Sequence, residues 1–241
     1  MMWIRRSNQR GYFDHGWLRS RHTFSFGQYY DPQFMGFESL CVINEDFVSP
    51  NHGFGEHAHQ DMEIITWVLE GRLSHEDSLG NRDSIIPLQA QIMSAGTGIR
   101  HSEFNASTED HVHLLQIWIT PSHQGLPPRY DQVQLSRIQV TNRWAVLASC
   151  NLLKGGLKIF QDAHISIARL DLDLNLEVSI EPNRAAWIQV ARGEIQIGEE
   201  RLFAGDGIAV EQACVLNLHS HTNGSEVLWF DLAKTLQPIT H

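Results

Sequence analysis

The sequence predicts an all-β protein built from two related β-domains. Three observations lead there. Short apolar runs bounded by turn residues dominate the chain, no stretch holds an apolar helical period for three turns, and one strand–turn–strand passage is echoed in the second half. In chain order the runs are LCVINEDFV, MEIITWVL, QIMSAG and HLLQIWIT, then ISIARLDL, LEVSIE, AAWIQVA, EIQIG, ACVLNLH and VLWFDL. Each is rich in Val, Ile, Leu or aromatic residues, and Gly, Pro, Asn or Asp stands between them, which is the chemistry of strands and turns. LGNRD and GEERLFAGDG read as turn segments. Many short strands at this spacing imply a sandwich or barrel, with helices few and short.

The echo pairs residues 66–77, TWVLEGRLSHED, with residues 188–200, IQVARGEIQIGEE. Gly71 stands opposite Gly193 and Leu73 opposite Ile195, an offset of 122 residues (193 minus 71). Such self-similarity suggests a duplicated β-domain. Pro and Gly cluster in TPSHQGLPPRYDQ, so the linker is expected near residues 120–132, dividing the chain into domains 1–134 and 135–241.

Composition narrows the function. A chain of 241 residues, 42% hydrophobic, can build a substantial core. Its formal charge of −10 and pI near 5.7 argue against a protein that grips nucleic-acid phosphates or an anionic membrane. No secretory signal or membrane-spanning run is visible, and three widely spaced cysteines (Cys41, Cys150, Cys214) form no CxxC pair. The expectation is a cytoplasmic protein with reduced thiols.

The stretch GFGEHAHQDMEIITWVLEG carries the chemistry. Read as strand, it puts His57, His59 and Glu63 at odd positions, on one face with Ile65, Trp67 and Leu69. Further on, SAGTGIRHSEFN supplies His101 and Glu103, again two apart. Buried imidazoles and carboxylates need partners, and together they suit a divalent iron, manganese, cobalt, nickel, copper or zinc ion. Three His and one carboxylate leave positions open for water, substrate or dioxygen, whereas a structural zinc site would be closed and include cysteine. The plainer reading is that each histidine packs or hydrogen-bonds singly. Carried through the 122-residue offset, His57, His59 and Glu63 fall on Ser179, Glu181 and Ala185, so the second domain is expected to keep the fold without the ligands.

These segments resemble the paired motifs of the cupin superfamily: H-x-H-x3-E at His57, His59 and Glu63 ending at Gly71, then G-x2-H-x3-N at Gly98, His101 and Asn105. More narrowly, HGWLRSRHTFSFGQYYDPQFMGFESLCVINED and IMSAGTGIRHSEFN resemble the pirin family in its bacterial quercetinase-like branch, a likeness covering nearly the whole chain. The resemblance implies a bicupin of two facing jelly-roll barrels with one metal, most often iron(II), in the N-terminal barrel. It implies His57, His59, His101 and Glu103 as ligands, with Glu63 a nearby inward carboxylate. It also implies cleavage of flavonols such as quercetin, or of a similar enolisable aromatic, by dioxygen with release of carbon monoxide, Glu103 or else Glu63 accepting the hydroxyl proton. The alternative is a metal-binding regulatory module that acts through a protein partner without turnover.

Other residues carry weaker expectations. His111 and His113 have ligand spacing but no acid following on the strand, and His219 and His221 look like a solvated loop end. Trp67, Trp118 and Trp187 read as barrel core, and Gln116 as pocket lining or a strand end. RHTFSFGQYY reads as a cover for the pocket mouth or as a strand packed across the sandwich.

Overall fold

In the computed structural model, which describes residues 1–235, the apolar runs form antiparallel strands around two cores. The chain opens with β1 (Met2–Arg5), β2 (Gly11–Asp14), β3 (Leu18–His22), β4 (Leu40–Val48), β5 (His52–His59) and β6 (Glu63–Glu70). It continues through β7 (Leu73–Asp77), β8 (Arg82–Ile85), β9 (Gln89–Ser94), β10 (Ile99–Asn105), β11 (Val112–Ile119) and β12 (Arg129–Gln134). After the four-residue helix α1 (Arg137–Val140) come β13 (Ala145–Ser149), β14 (Leu157–Lys158), β15 (Ala163–Leu170), β16 (Asn175–Ile180) and β17 (Arg184–Arg192). The last strands described are β18 (Glu194–Ile197), β19 (Glu200–Phe203), β20 (Gly207–Val210), β21 (Cys214–Ser220) and β22 (Ser225–Ala233).

The first barrel pairs a seven-stranded sheet, β12-β9-β6-β11-β4-β3-β2, with a four-stranded sheet, β5-β10-β7-β8. The second repeats this as β1-β20-β17-β22-β15-β13-β14 and β16-β21-β18-β19. Position by position it is one topology used twice, except that the outermost β14 runs parallel to its neighbour. Both glycines of the echo sit in left-handed turns, Gly71 at φ 78 and Gly193 at φ 76, a conformation that favours residues without a Cβ. The two-barrel, all-β architecture is the one the sequence implied.

The barrels exchange their opening strands. β1 pairs with β20 (Met2↔Val210, Ile4↔Ile208), while β12, at the start of the second half, pairs with β9 of the first. The exchange covers an otherwise unpaired edge in each large sheet. It also drives Trp3 against Trp187, with ring centroids 5.3 Å apart. A division at 134/135 takes no account of this exchange, and the expected linker stretch already enters β12 at Arg129.

The two seven-stranded sheets face each other across one apolar cluster. Ile65, Trp67, Leu69, Leu115 and Ile117 of the first barrel meet Ile165, Ala185, Trp187, Leu228 and Phe230 of the second. Trp67 Nε1 donates to Glu226 Oε1 at 2.7 Å, and Arg192 reaches back to the Leu69 carbonyl at 3.0 Å. Glu63 shares this face, as its alternation with Ile65 required, so it points between the barrels rather than into the first. Its carboxylate accepts from Ser94 Oγ at 2.9 Å and from the Phe160 amide at 3.4 Å. The expectation of an inward Glu63 is therefore corrected.

A charged cluster sits at the barrel junction. Arg10 Nη2 donates to Glu45 Oε2 at 2.5 Å, and His113 Nε2 lies 2.9 Å from Glu45 Oε1. Nearby, the Ser7 amide and Arg6 bind Asp206 of the second half. Burial opposes the charge on Glu45, but its hydrogen bond with His113 and its pairing with Arg10 hold the carboxyl down from 4.5 to about 2. A depressed carboxyl contributes stability that is present above its unfolded value and lost as pH falls through the folded one. Glu45→Gln should therefore destabilise the protein by about 3 kcal/mol near neutrality. In urea unfolding at a series of pH values, the gap from wild type should close between about pH 4.5 and 2. A gap that stays constant over that window would assign the loss to packing instead.

Candidate metal centre

β5 and β10 pair with an irregularity that aims the histidines. His101 stands opposite His57 and Glu103 opposite Phe54, two steps on β10 against three on β5. The extra residue, at Gly55–Glu56, is a β-bulge, and it changes which residues of β5 face inward. Phe54, His57 and His59 thus all line one cavity. Gly53, just before the bulge, lies so close to the Glu103 carbonyl and to Phe104 that no Cβ fits there.

The strand then ends. A turn at residues 60–62, with Asp61 at φ 47, separates His59 from Glu63, so the three residues do not share a strand or a sheet. The four-stranded sheet carries the histidines and the seven-stranded sheet carries Glu63.

Three imidazoles converge. His57, His59 and His101 each bring a ring nitrogen within 4.8 Å of the others. Their ring centroids are 4.4 Å (His57–His101), 4.7 Å (His57–His59) and 5.0 Å (His59–His101) apart. His57 Nδ1 donates to the Gly55 carbonyl at 2.8 Å, which leaves Nε2 as its lone-pair nitrogen. Burial and the neighbouring imidazoles push His59 down to about 4 and His101 down to about 2. Neutral rings are the form that binds a metal ion.

His101 is oriented from behind. The Asp77 carboxylate accepts from the Leu79 and Asn81 amides at 2.9 and 3.1 Å, from the Asn81 side chain, and from His75 Nε2 at 3.1 Å. With its proton on Nε2, His75 turns an Nδ1 lone pair to His101 Nδ1, 3.5 Å away. That long contact places the His101 proton on Nδ1 and the lone pair on Nε2. Among the described residues His101 Nε2 is buried and has no hydrogen-bond partner, which leaves its lone pair free for a cation. Tyr130, from the exchanged β12, stacks on His75 at 4.4 Å.

Glu103 lies beside this triad rather than within it. Its oxygens share a candidate cluster with His75 and His101 but do not join His57 and His59. It is 2% exposed and accepts from Gln91 Nε2 at 2.7 Å, Thr66 Oγ1 at 3.2 Å and Gln116 Nε2 at 2.5 Å. Burial, the largest influence, raises its carboxyl from 4.5 to about 7. Gln116 is thus part of the site.

The surrounding cavity, about 390 Å³, lies in the size range of small-molecule pockets. Trp17, Phe26, Phe54 and Trp118 give it aromatic walls, and Trp118 stands edge-on to His59 at 4.9 Å. Trp67 and Trp187 are core as expected, whereas Trp118 is cavity wall. The RHTFSFGQYY segment does two jobs, with Phe24 buried between the barrels and Phe26 lining the cavity.

His111, His113, His219 and His221 stand apart from the site. His113 belongs to the Glu45 cluster, and His111 is exposed on the surface. His219 lies on β21 rather than in a loop and pairs with Asn175, while His221 pairs with Gln196. Asn105 of the second motif ties the Val48 and Asp110 carbonyls together, away from the histidines.

The same positions in the second barrel are apolar. Glu103 faces His75 as Leu218 faces Ile197, and His57 faces His101 as Val178 faces Leu216. His59 then corresponds to Ile180. The offset is 122 residues for β6 and β17 but 121 for β5 and β16, so Ser179 and Glu181 fall on the outer face instead. A one-residue slip reverses a strand's faces, which is why the expected equivalents were the neighbours of the true ones. A separate group, Cys150, Asp162 and His164, gathers in the second half, but Lys154 Nζ is 3.4 Å from His164 and Arg184 holds Asp162.

Comparison with known proteins agrees with this architecture. A family model described as Pirin matches residues 4–119, and one described as the quercetinase C-terminal cupin domain matches residues 146–232. An Escherichia coli (strain K12) protein named quercetin 2,3-dioxygenase is 44% identical over 232 residues, covering 96% of this chain and 99% of its own. The crystal structure of YhhW from Escherichia coli superposes with a TM-score of 0.93 at 43% identity, covering 99% of this chain and 100% of that one. A nickel(II) complex of that bacterial pirin gives 0.92 at 43% identity, covering 98% and 100%.

A metal held by the three imidazoles should feel the His75–Asp77 pair through His101. His75→Phe and Asp77→Asn should each lower divalent-metal affinity by about 10- to 100-fold, as loss of an outer hydrogen-bond partner does elsewhere. Competition against a chromogenic chelator measures this, with circular dichroism to establish that the variants are folded. Wild-type affinity in both would remove the relay from the centre.

Proposed function

The chain is a member of the pirin family, and on that footing we propose that it is a metal-dependent dioxygenase acting on flavonols such as quercetin. The observation that carries this reading is the partnerless His101 Nε2 among three converging imidazoles, beside a protonatable carboxyl in an aromatic-walled cavity. His57, His59 and His101 would hold one divalent metal, iron(II) in the first instance, with Glu103, which gathers with His101, to complete the set. Bound there, the metal would supply Lewis acidity and a template for an enolic hydroxyl and dioxygen.

The chain's own groups do the rest. Trp118, Phe26 and Phe54 sandwich a flat ring and exclude water from it. The Glu103 carboxyl, held by Thr66, Gln91 and Gln116, accepts the proton of the substrate hydroxyl. Its raised value near 7 suits it to take up and return a proton. With dioxygen as second substrate, two carbon–carbon bonds of the enolic ring would break, the carbon between them leaving as carbon monoxide and both oxygen atoms staying in the ring-opened ester. The acidic balance of the chain and its three unpaired cysteines fit a cytoplasmic enzyme of small molecules that makes no direct contact with nucleic acid.

Elemental analysis should find about one metal per chain, falling sharply in His57→Ala, His59→Ala and His101→Ala. Iron-loaded wild type with quercetin should consume oxygen and release carbon monoxide. Metal-reconstituted Glu103→Gln should keep its metal and slow by ~10²- to 10⁴-fold. Fully metallated wild type that releases no carbon monoxide would sink the dioxygenase and favour a metal-binding regulatory module.

A further inference from the structure

Behind the wall of the histidine cavity lies a second chamber of about 270 Å³. The two share Phe26, Asn44, Asp46 and Phe54, so they are adjoining rooms of one space. The pairing of β3 with β4 sets His22 opposite Asn44 and Ser20 opposite Asp46, and all four line the chamber. His22 Nδ1, Asn44 Oδ1 and Asp46 Oδ1 are buried without a hydrogen-bond partner among the described residues. Their residues are only 7%, 4% and 3% exposed. One such orphan is a common imperfection, but three on neighbouring residues of one wall mark a surface built for a ligand.

We propose that this chamber is a recognition subsite for the hydroxylated distal ring of an aromatic substrate whose reacting ring lies at the histidines. The proposal rests on the dioxygenase reading for the orientation of the substrate and goes beyond it in assigning specificity to His22, Asn44 and Asp46. Phe13 stacks on His22 at 5.1 Å and Phe26 stands edge-on to it at 5.3 Å, so the imidazole is held in place between apolar faces. The orphaned oxygens of Asn44 and Asp46 accept hydrogen bonds, which calls for hydroxyl donors on the ligand. Asp46 and Glu103 both face the joined space, and burial beside two acids disfavours an anionic substituent. The occupant is therefore a neutral polyhydroxylated ring rather than a carboxylated, sulfated or phosphorylated one.

A hydroxyl series on the distal ring tests this: galangin with none, kaempferol with one and quercetin with two. Binding is measured without oxygen on zinc-loaded protein by quenching of tryptophan fluorescence, so turnover plays no part. Wild type should bind quercetin about tenfold or more tighter than galangin, as a site built to hydrogen-bond a hydroxyl discriminates against the analogue lacking it. Asp46→Leu, which removes the acceptor, and His22→Phe should each bring the ratio to within about twofold, with zinc content unchanged. Equal affinities in wild type, or a preference that survives both variants, overturns the inference. Hydroxyl-dependent binding in a protein that does not turn over when iron-loaded supports the subsite and removes the dioxygenase. Turnover with equal constants for the three flavonols does the reverse.

Discussion

The structure depends on the face-to-face burial of two seven-stranded sheets. Because β6 and β11 are covered on both sides, each residue along them is committed either to the other barrel or to the cavity. Ile65, Trp67 and Leu69 go outward to the partner sheet, which sends Ile64, Thr66 and Val68 inward. Along β11, Leu115 and Ile117 face the junction, leaving Gln116 and Trp118 for the site. The residues that hold Glu103 are therefore fixed by a packing decision made on the opposite face. A shift of one residue in β11 would bury Gln116 between the barrels and turn Leu115 or Ile117 to the cavity, and the same shift in β6 would do this to Thr66 and Ile65.

Duplication makes the demands of the site visible by contrast. His57, His59, His101 and Glu103 correspond to Val178, Ile180, Leu216 and Leu218. Thr66 and Gln91, which pair across β6 and β9, correspond to Ile188 and Ile208, which pair across β17 and β20. Most of the apolar set packs into one buried cluster of the second barrel. One copy thus fills its interior with aliphatic side chains and is stabilised by their burial. The other leaves a cavity lined by groups that water or a ligand must satisfy. Strand exchange ties them together, since β1 and β12 each bond across the boundary.

Much of this was legible in the sequence, and the misreadings have one physical source. The all-β class and the duplication follow from alternation and turn chemistry, and the same pattern brings forward His57, His59, Glu63, His101 and Glu103, from which the resemblance to pirins selects four. Alternation, however, gives the face of a residue only while a strand continues. The bulge at Gly55–Glu56 and the turn at Asp61 each break the count, so Phe54 joined the cavity and Glu63 left it. The same slip moved the second-half equivalents from Val178 and Ile180 to their neighbours. His75 and Asp77 were passed over although they alternate within SHED, because their role needs a third strand, β10, that lies more than twenty residues away. His22, Asn44 and Asp46 stand within the segments that resemble pirins, yet their juxtaposition arises from pairing that no local pattern declares.

The buried acids sort by the donors that surround them. Asp77 is fixed by backbone amides, Asn81 and His75, and Glu45 by Arg10 and His113, and both carboxyls lie below their ordinary values despite burial. They are permanent anions, one behind His101 and one at the barrel junction. Glu103 has three donors and Asp46 little beyond Ser20, none of them charged. Burial therefore prevails, and both rise to about 7. These two are the acids that line the cavity. A charge locked by cations or by a ring of amides serves the frame, because no physiological change in pH will release it. An acid given only neutral donors has nothing to offset the loss of solvation, so its neutral form gains ground. Withholding arginine and lysine from the cavity wall is thus what lets burial raise the Glu103 carboxyl.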